Sequence, residues 1–171
     1  MNVQEAVGTL LAVRDYRDDP VPDEVIQQIL EAARLTASSM NKQPWHFVVV
    51  RDREMLASLG STARTGPYIA GAAFAVVVVV QPTKWSLSDA SRAIQDMMLV
   101  AWSHGVGSNW VGFSGGLTAV NPLLGIPEDL DIVSIVPFGY PAATVGQGKK
   151  ERKPLDEIVH WDRWNGTATQ G

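Results

Sequence analysis

Apolar positions along the chain follow two periods, and the switches between them mark out the elements. Val3, Val7, Leu10 and Leu11 share one helical face, which predicts an opening helix that stops before Asp18-Asp19-Pro20, where proline disfavours helix in the residue ahead of it. A second helix is predicted from Pro22, with Asp23 and Glu24 at the positive end of its dipole. Val25, Ile26, Ile29, Leu30 and Ala33 form its apolar stripe, and it ends in the small polar stretch Ser38-Ser39. Trp45 to Val50 reads as a strand. Asp52 then reads as an N-cap, with Met55, Leu56 and Leu59 inward and Gly60 as the stop. Gly71 to Val80 is nearly all apolar and rich in valine, and it closes on Gln81-Pro82. Such a run is a buried strand, far too short to cross a bilayer as a helix. A long helix is predicted from about Ser88 to Ser103, with Ile94, Met97, Met98 and Ala101 on its apolar side and Gly105-Val106-Gly107-Ser108 ending it. A third strand follows near Asn109 to Phe113, and a fourth from Asp131 to Phe138 closes on Gly139-Tyr140-Pro141. Ala142 to Lys150 reads as a loop, and the tail from Leu155 carries Ile158, Val159, Trp161 and Trp164, which need a covering surface. No repeat, low-complexity block or linker interrupts this order, so a single α+β domain over residues 1–171 is expected.

Composition narrows the chemistry. A chain of 171 residues, 46% hydrophobic and 19% charged, can bury one sizeable core. A net charge of −4 argues against a nucleic-acid partner, though it leaves room for a local basic pocket. There is no cysteine, which excludes disulfides, thiolate nucleophiles, iron–sulfur clusters and thiolate-bound zinc. The N-terminus has no secretory pattern, so a cytoplasmic protein without a membrane partner is expected. His46, His104 and His160 are scattered without metal-ligand spacing, and no Gly-x-Ser-x-Gly elbow supports a hydrolase. Gly105 to Ser108 follows a helix and has the wrong spacing for a dinucleotide or Walker loop. Asp89 and Asp96 read as exposed helix residues rather than an acid–base pair, and the six tryptophans as core or interface mass.

Two features remain. Arg14 and Arg17 stand three apart, so on a continuing helix they point the same way, and guanidinium forks match phosphate oxygens. Two solvated arginines at a helix end are the alternative. The stretch Thr36-Ala37-Ser38-Ser39-Met40-Asn41 is rich in hydrogen-bonding groups, and it also reads as an ordinary helix end and turn.

Taken in order, Arg14-Asp15-Tyr16-Arg17, Pro20-Val21-Pro22, Ile29 to Arg34, Ser38-Ser39-Met40-Asn41-Lys42-Gln43-Pro44-Trp45, His104-Gly105-Val106-Gly107, Trp110, Gly139-Tyr140-Pro141 and Arg152-Lys153-Pro154-Leu155 form a series. It resembles the nitroreductase family along nearly the whole chain. The resemblance implies an α+β sandwich, a mostly antiparallel sheet flanked by helices, forming a homodimer with FMN at the subunit interface. It implies that Arg14, Arg17 and Arg152 grip the FMN phosphate and that Asp15 lies near the ribityl chain. Ser38, Ser39 and Asn41 match the loop reaching the flavin, commonly that of the partner subunit, and Trp110, Val111 and Gly112 the stretch beside the ring, where a backbone N–H approaches N5. The implied activity is NAD(P)H-dependent reduction of a small-molecule acceptor, a nitroaromatic or quinone, by ping-pong chemistry. Flavin destruction, dehalogenation, or a flavin-binding dimer without turnover are the alternatives. Two departures stand out: Val13 replaces the arginine that often precedes Arg14, and only Gln81 to Leu87 fills a gap where larger members carry an extra helical segment.

Overall fold

The computed structural model describes residues 1–63, 65–112, 117–142 and 150–167. Its centre is a four-stranded antiparallel sheet in the order β1 (Trp45–Val50), β2 (Phe74–Val80), β4 (Asp131–Gly139), β3 (Gly107–Ser108). Every residue of β2 is buried, because helices cover both faces of the sheet. Alternation sorts its side chains. Phe74, Val76, Val78 and Val80 face α2 (Asp23–Leu35) and α4 (Ser86–Ser103), while Ala75, Val77 and Val79 face α3 (Arg53–Thr62) and Val120. Phe74 and Phe138 stand opposite each other in register and stack with ring centroids 4.8 Å apart. The smaller helices are α1 (Val3–Thr9), α5 (Asn121–Leu124) and α6 (Leu155–Ile158). No helix among the described residues is long and apolar enough to cross a membrane.

α2 begins at Asp23 behind Pro22 and buries Ile26, Ile29 and Ala33, as its stripe predicts. α4 begins at Ser86, one turn's fraction earlier than expected, and β4 runs one residue further, through Gly139. The remaining boundaries are corrected by the structure. α1 ends at Thr9, well short of Asp18, and Val3 and Val7 are exposed rather than packed. Gly8 is a poor helix interior residue, and beyond it the chain finds sheet partners instead: Val13 N–H donates to Ser108 O, and Ala12 bridges Ser108. Gly60 does not end α3. It lies inside the helix because an added Cβ would come within 3.1 Å of Pro67 O and 3.2 Å of Ala70 N, where the 3-10 turn Pro67–Gly71 crosses closely. That turn also displaces the start of β2 from Gly71 to Phe74. β3 is only Gly107–Ser108. Val111 adds an isolated bridge to Ile135, and Phe113 lies outside the described residues, as do 143–149 of the expected loop.

Candidate functional site

The segment from Ala12 to Arg17 is extended and runs along the β3 end of the sheet. Ala12 pairs with Ser108, Tyr16 pairs with Pro141, Arg17 N–H donates to Tyr140 O, and Ala142 N–H donates to Asp15 O. The close approach depends on two glycines. A Cβ on Gly107 would lie 2.5 Å from Val13 Cγ2, and one on Gly139 would lie 2.9 Å from the Tyr16 ring. Tyr16 therefore lies half-buried, its hydroxyl donating to Val13 O at 2.7 Å. Burial raises its phenol far above the usual tyrosine range, with Tyr68 adding to the effect and Arg14 opposing it, so it remains a neutral donor.

Arg14 and Arg17 thus sit on extended chain, not on the helix that the spacing predicted. Both are exposed. Arg17 contacts Asp19 at 3.2 Å and lies over the Tyr140 ring, 5.4 Å from its centroid. The Arg14 side chain makes no hydrogen bond or ion pair among the described residues. Arg152 is also exposed, with a guanidinium N–H donating to Glu151 O at 2.7 Å. Two residues before it, Lys150 Nζ donates to Val7 O at 2.8 Å, which ties the C-terminal segment to α1. The chain therefore brings Arg14, Asp15 and Arg17 beside the end of β4, and returns the segment of Arg152 to the helix just upstream of them.

The loop between α2 and β1 has the least relaxed backbone among the described residues. Met40, Asn41 and Gln43 have φ of 53°, 54° and 47°, left-handed values that cost a non-glycine residue about 1–3 kcal/mol unless its surroundings enforce them. Enforcement comes from side chains. Gln43 N–H donates to Ser38 Oγ at 2.9 Å, and Gln43 Nε2 donates to Asn41 Oδ1 at 3.2 Å. Ser39 N–H and Oγ–H both donate to Asp89 Oδ1, at 3.0 and 2.9 Å, and Thr36 Oγ–H donates to Asp96 Oδ2 at 2.6 Å. Asp89 is 1% exposed and also accepts from Arg92. Reading these two aspartates as exposed is therefore incorrect: Asp89 is buried, Asp96 is half-buried, and both anchor the polar loop to α4. The signal was present in the spacing. Asp89 stands four before Ala93 and eight before Met97, on the apolar stripe of the helix.

Trp110, Val111 and Gly112 follow β3. Val111 is buried, and its N–H and C=O are both spent on Ile135, at 3.0 and 2.9 Å. Gly112 has φ +103°, and Trp110 Nε1 donates to its carbonyl at 2.8 Å. The Gly112 N–H has no partner among the described residues, whereas the Val111 N–H is engaged by Ile135. A concavity of about 900 Å³ between the start of α4 and residues 117–133 is lined by none of these residues.

The fold has many relatives. Residues 12–81 and 62–140 match the Nitroreductase family, so the chain belongs to that family. An Archaeoglobus fulgidus protein named "Putative NADH dehydrogenase/NAD(P)H nitroreductase" is 35% identical, with 92% of this chain and 96% of that one covered. The structure of an FMN-dependent nitroreductase from Clostridium difficile superposes with a TM-score of 0.82 at 26% identity, covering 92% of this chain and 98% of that one. NADPH:FMN oxidoreductase from Vibrio harveyi, complexed with NAD+, superposes with a TM-score of 0.82 at 25% identity, covering 94% of this chain and 76% of that one.

Proposed function

We propose that this chain is an FMN-dependent oxidoreductase that draws electrons from NAD(P)H and passes them to an electron-poor small molecule, a nitroaromatic or quinone, in ping-pong order. Membership of the family supports the cofactor and the electron donor. The observation that carries the reading on the chain itself is Arg14, an exposed guanidinium with no side-chain partner among the described residues, held on a segment fixed by two bridges.

The residues fit FMN. Arg14 and Arg17 would hold the dianionic phosphate with Arg152, and Asp15 would lie by the ribityl chain. Ser38, Ser39 and Asn41 would meet the flavin from a partner subunit, and Trp110, Val111 and Gly112 would line the ring, with the Gly112 N–H as donor. When bound, FMN supplies the hydride chemistry, so no protein acid or base is required at the reacting atom. The protein binds, orients the ring and shapes the slot. Only residues 81–85 separate β2 from α4, which supports an acceptor side without an added helical cover.

What the single chain leaves uncovered supports a homodimer. Leu155, Ile158, Trp161 and Trp164 are 72%, 58%, 53% and 80% exposed, at three-residue intervals. In the proposed dimer this tail packs over the partner subunit. The test is an absorption spectrum of the protein reconstituted with FMN, followed by anaerobic titration with NADH and with NADPH. Bleaching by either supports turnover. Bound flavin that neither nucleotide bleaches leaves a flavin-binding dimer without turnover, and absence of bound flavin overturns the proposal.

A further inference from the structure

We propose that Asp89 is a positioning residue for the cofactor loop. Resting on the reading of Ser38, Ser39 and Asn41 as flavin-facing, the proposal is that one buried carboxylate oxygen on α4 holds residues 38–43 in their left-handed path and so sets flavin affinity. Asp89 Oδ1 receives both donors of Ser39, main-chain and hydroxyl, and these bonds link positions 50 residues apart in sequence. Without them, nothing else described anchors the loop to α4 between Thr36, held by Asp96, and Trp45 in the sheet. The three left-handed residues lie inside that interval.

The arrangement also determines what the loop presents. The single hydroxyl proton of Ser39 is committed to Asp89, so its oxygen has only lone pairs to offer a ligand. The Ser38 oxygen already accepts from Gln43 N–H, which leaves its own proton for a ligand acceptor. Ser39, held by Asp89, thereby offers an acceptor, and Ser38, held by Gln43 N–H, offers a donor. Arg92, with its side chain 47% exposed, sits on the same carboxylate and offsets its buried charge.

The experiment compares Asp89→Ala and Asp89→Asn in the full chain. Dissociation constants come from FMN fluorescence quenching, and amide exchange of residues 38–43 is followed in FMN-free and FMN-loaded protein. Ala removes the acceptor, whereas Asn keeps a carbonyl oxygen for both Ser39 donors and removes the negative charge that Arg92 offsets. Asp89→Ala is expected to weaken FMN binding by about tenfold or more and to speed exchange in 38–43 while that of β2 is unchanged; Asp89→Asn should remain within about threefold of wild type. If Asp89→Ala does not fold, Ser39→Ala removes one of the two bonds and should give an intermediate loss. Faster exchange with unchanged FMN affinity overturns the positioning role, and unchanged exchange overturns the clamp. An Asn variant as weak as Ala shows that charge, not the pair of hydrogen bonds, matters, and overturns the mechanism. A wild-type chain that takes up no FMN overturns the cofactor reading instead, and exchange then judges the clamp alone.

Discussion

Arg14→Ala separates the phosphate role from ordinary surface charge. Arg14 is exposed and makes no hydrogen bond or ion pair with its side chain among the described residues, so its removal breaks nothing in the folded chain. A substitution of that kind shifts stability by no more than about 0.5 kcal/mol. A charge-assisted hydrogen bond to a phosphate contributes about 1.5–3 kcal/mol, so losing it should raise the FMN dissociation constant by roughly 10- to 150-fold. Arg17 provides an internal comparison. To reach a phosphate it must leave Asp19, an exposed pair at 3.2 Å worth about 0–1 kcal/mol. It also gives up its place over Tyr140, worth roughly another 0.5–1 kcal/mol. Arg17→Ala should therefore cost less, on the order of fivefold. The assay is titration of FMN with each variant by fluorescence quenching, alongside calorimetric melting. Arg14→Ala binding FMN as tightly as wild type, or losing less than Arg17→Ala, would refute the reasoning.

Deleting residues from Ile158 onward removes three exposed apolar side chains, Ile158, Trp161 and Trp164, and should leave light scattering reporting one chain instead of two; a retained dimer would contradict the wrapping tail. Gly107→Ala places a Cβ 2.5 Å from Val13 Cγ2 and should lower unfolding stability by about 1–3 kcal/mol in a urea titration, with FMN affinity falling too because the same contact seats the Arg14 segment. An unchanged midpoint would mean that the segment can shift away freely.

Elements whose pattern answered to a single physical cause could be read from the sequence. β2 is apolar at every position because it is buried on both faces, and α2 shows one stripe because Ile26, Ile29 and Ala33 are buried in the core with Val25 and Leu30 packed against it. α1 and β3 were misread for the opposite reason. Whether residues 10–17 continue a helix depends on Ser108 and Tyr140, about a hundred residues away, which take the Val13 and Arg17 N–H groups. Gly60 and Gly107 show how little a glycine reveals by itself. One occurs inside a helix and the other in a strand, and each is there because another segment passes too close for a Cβ.

The candidate site divides along the same line. Its polar loop was visible in the residues, since Ser38, Ser39 and Asn41 lie together in the chain. What holds that loop was not, because Asp89 and Asp96 acquire their role only once α4 lies against α2 and its following turn. A carboxylate on an apolar helical stripe is either an error of reading or a buried acceptor with donors waiting nearby. Here the donors are Ser39 and Arg92, and the burial of Asp89 follows from them rather than opposing them. The same logic makes Arg14 informative by contrast. Buried Asp89 holds its donors and exposed Arg17 has Asp19, whereas Arg14 is a guanidinium on bridged backbone with no side-chain partner among the described residues, and a bound phosphate matches its fork of donors.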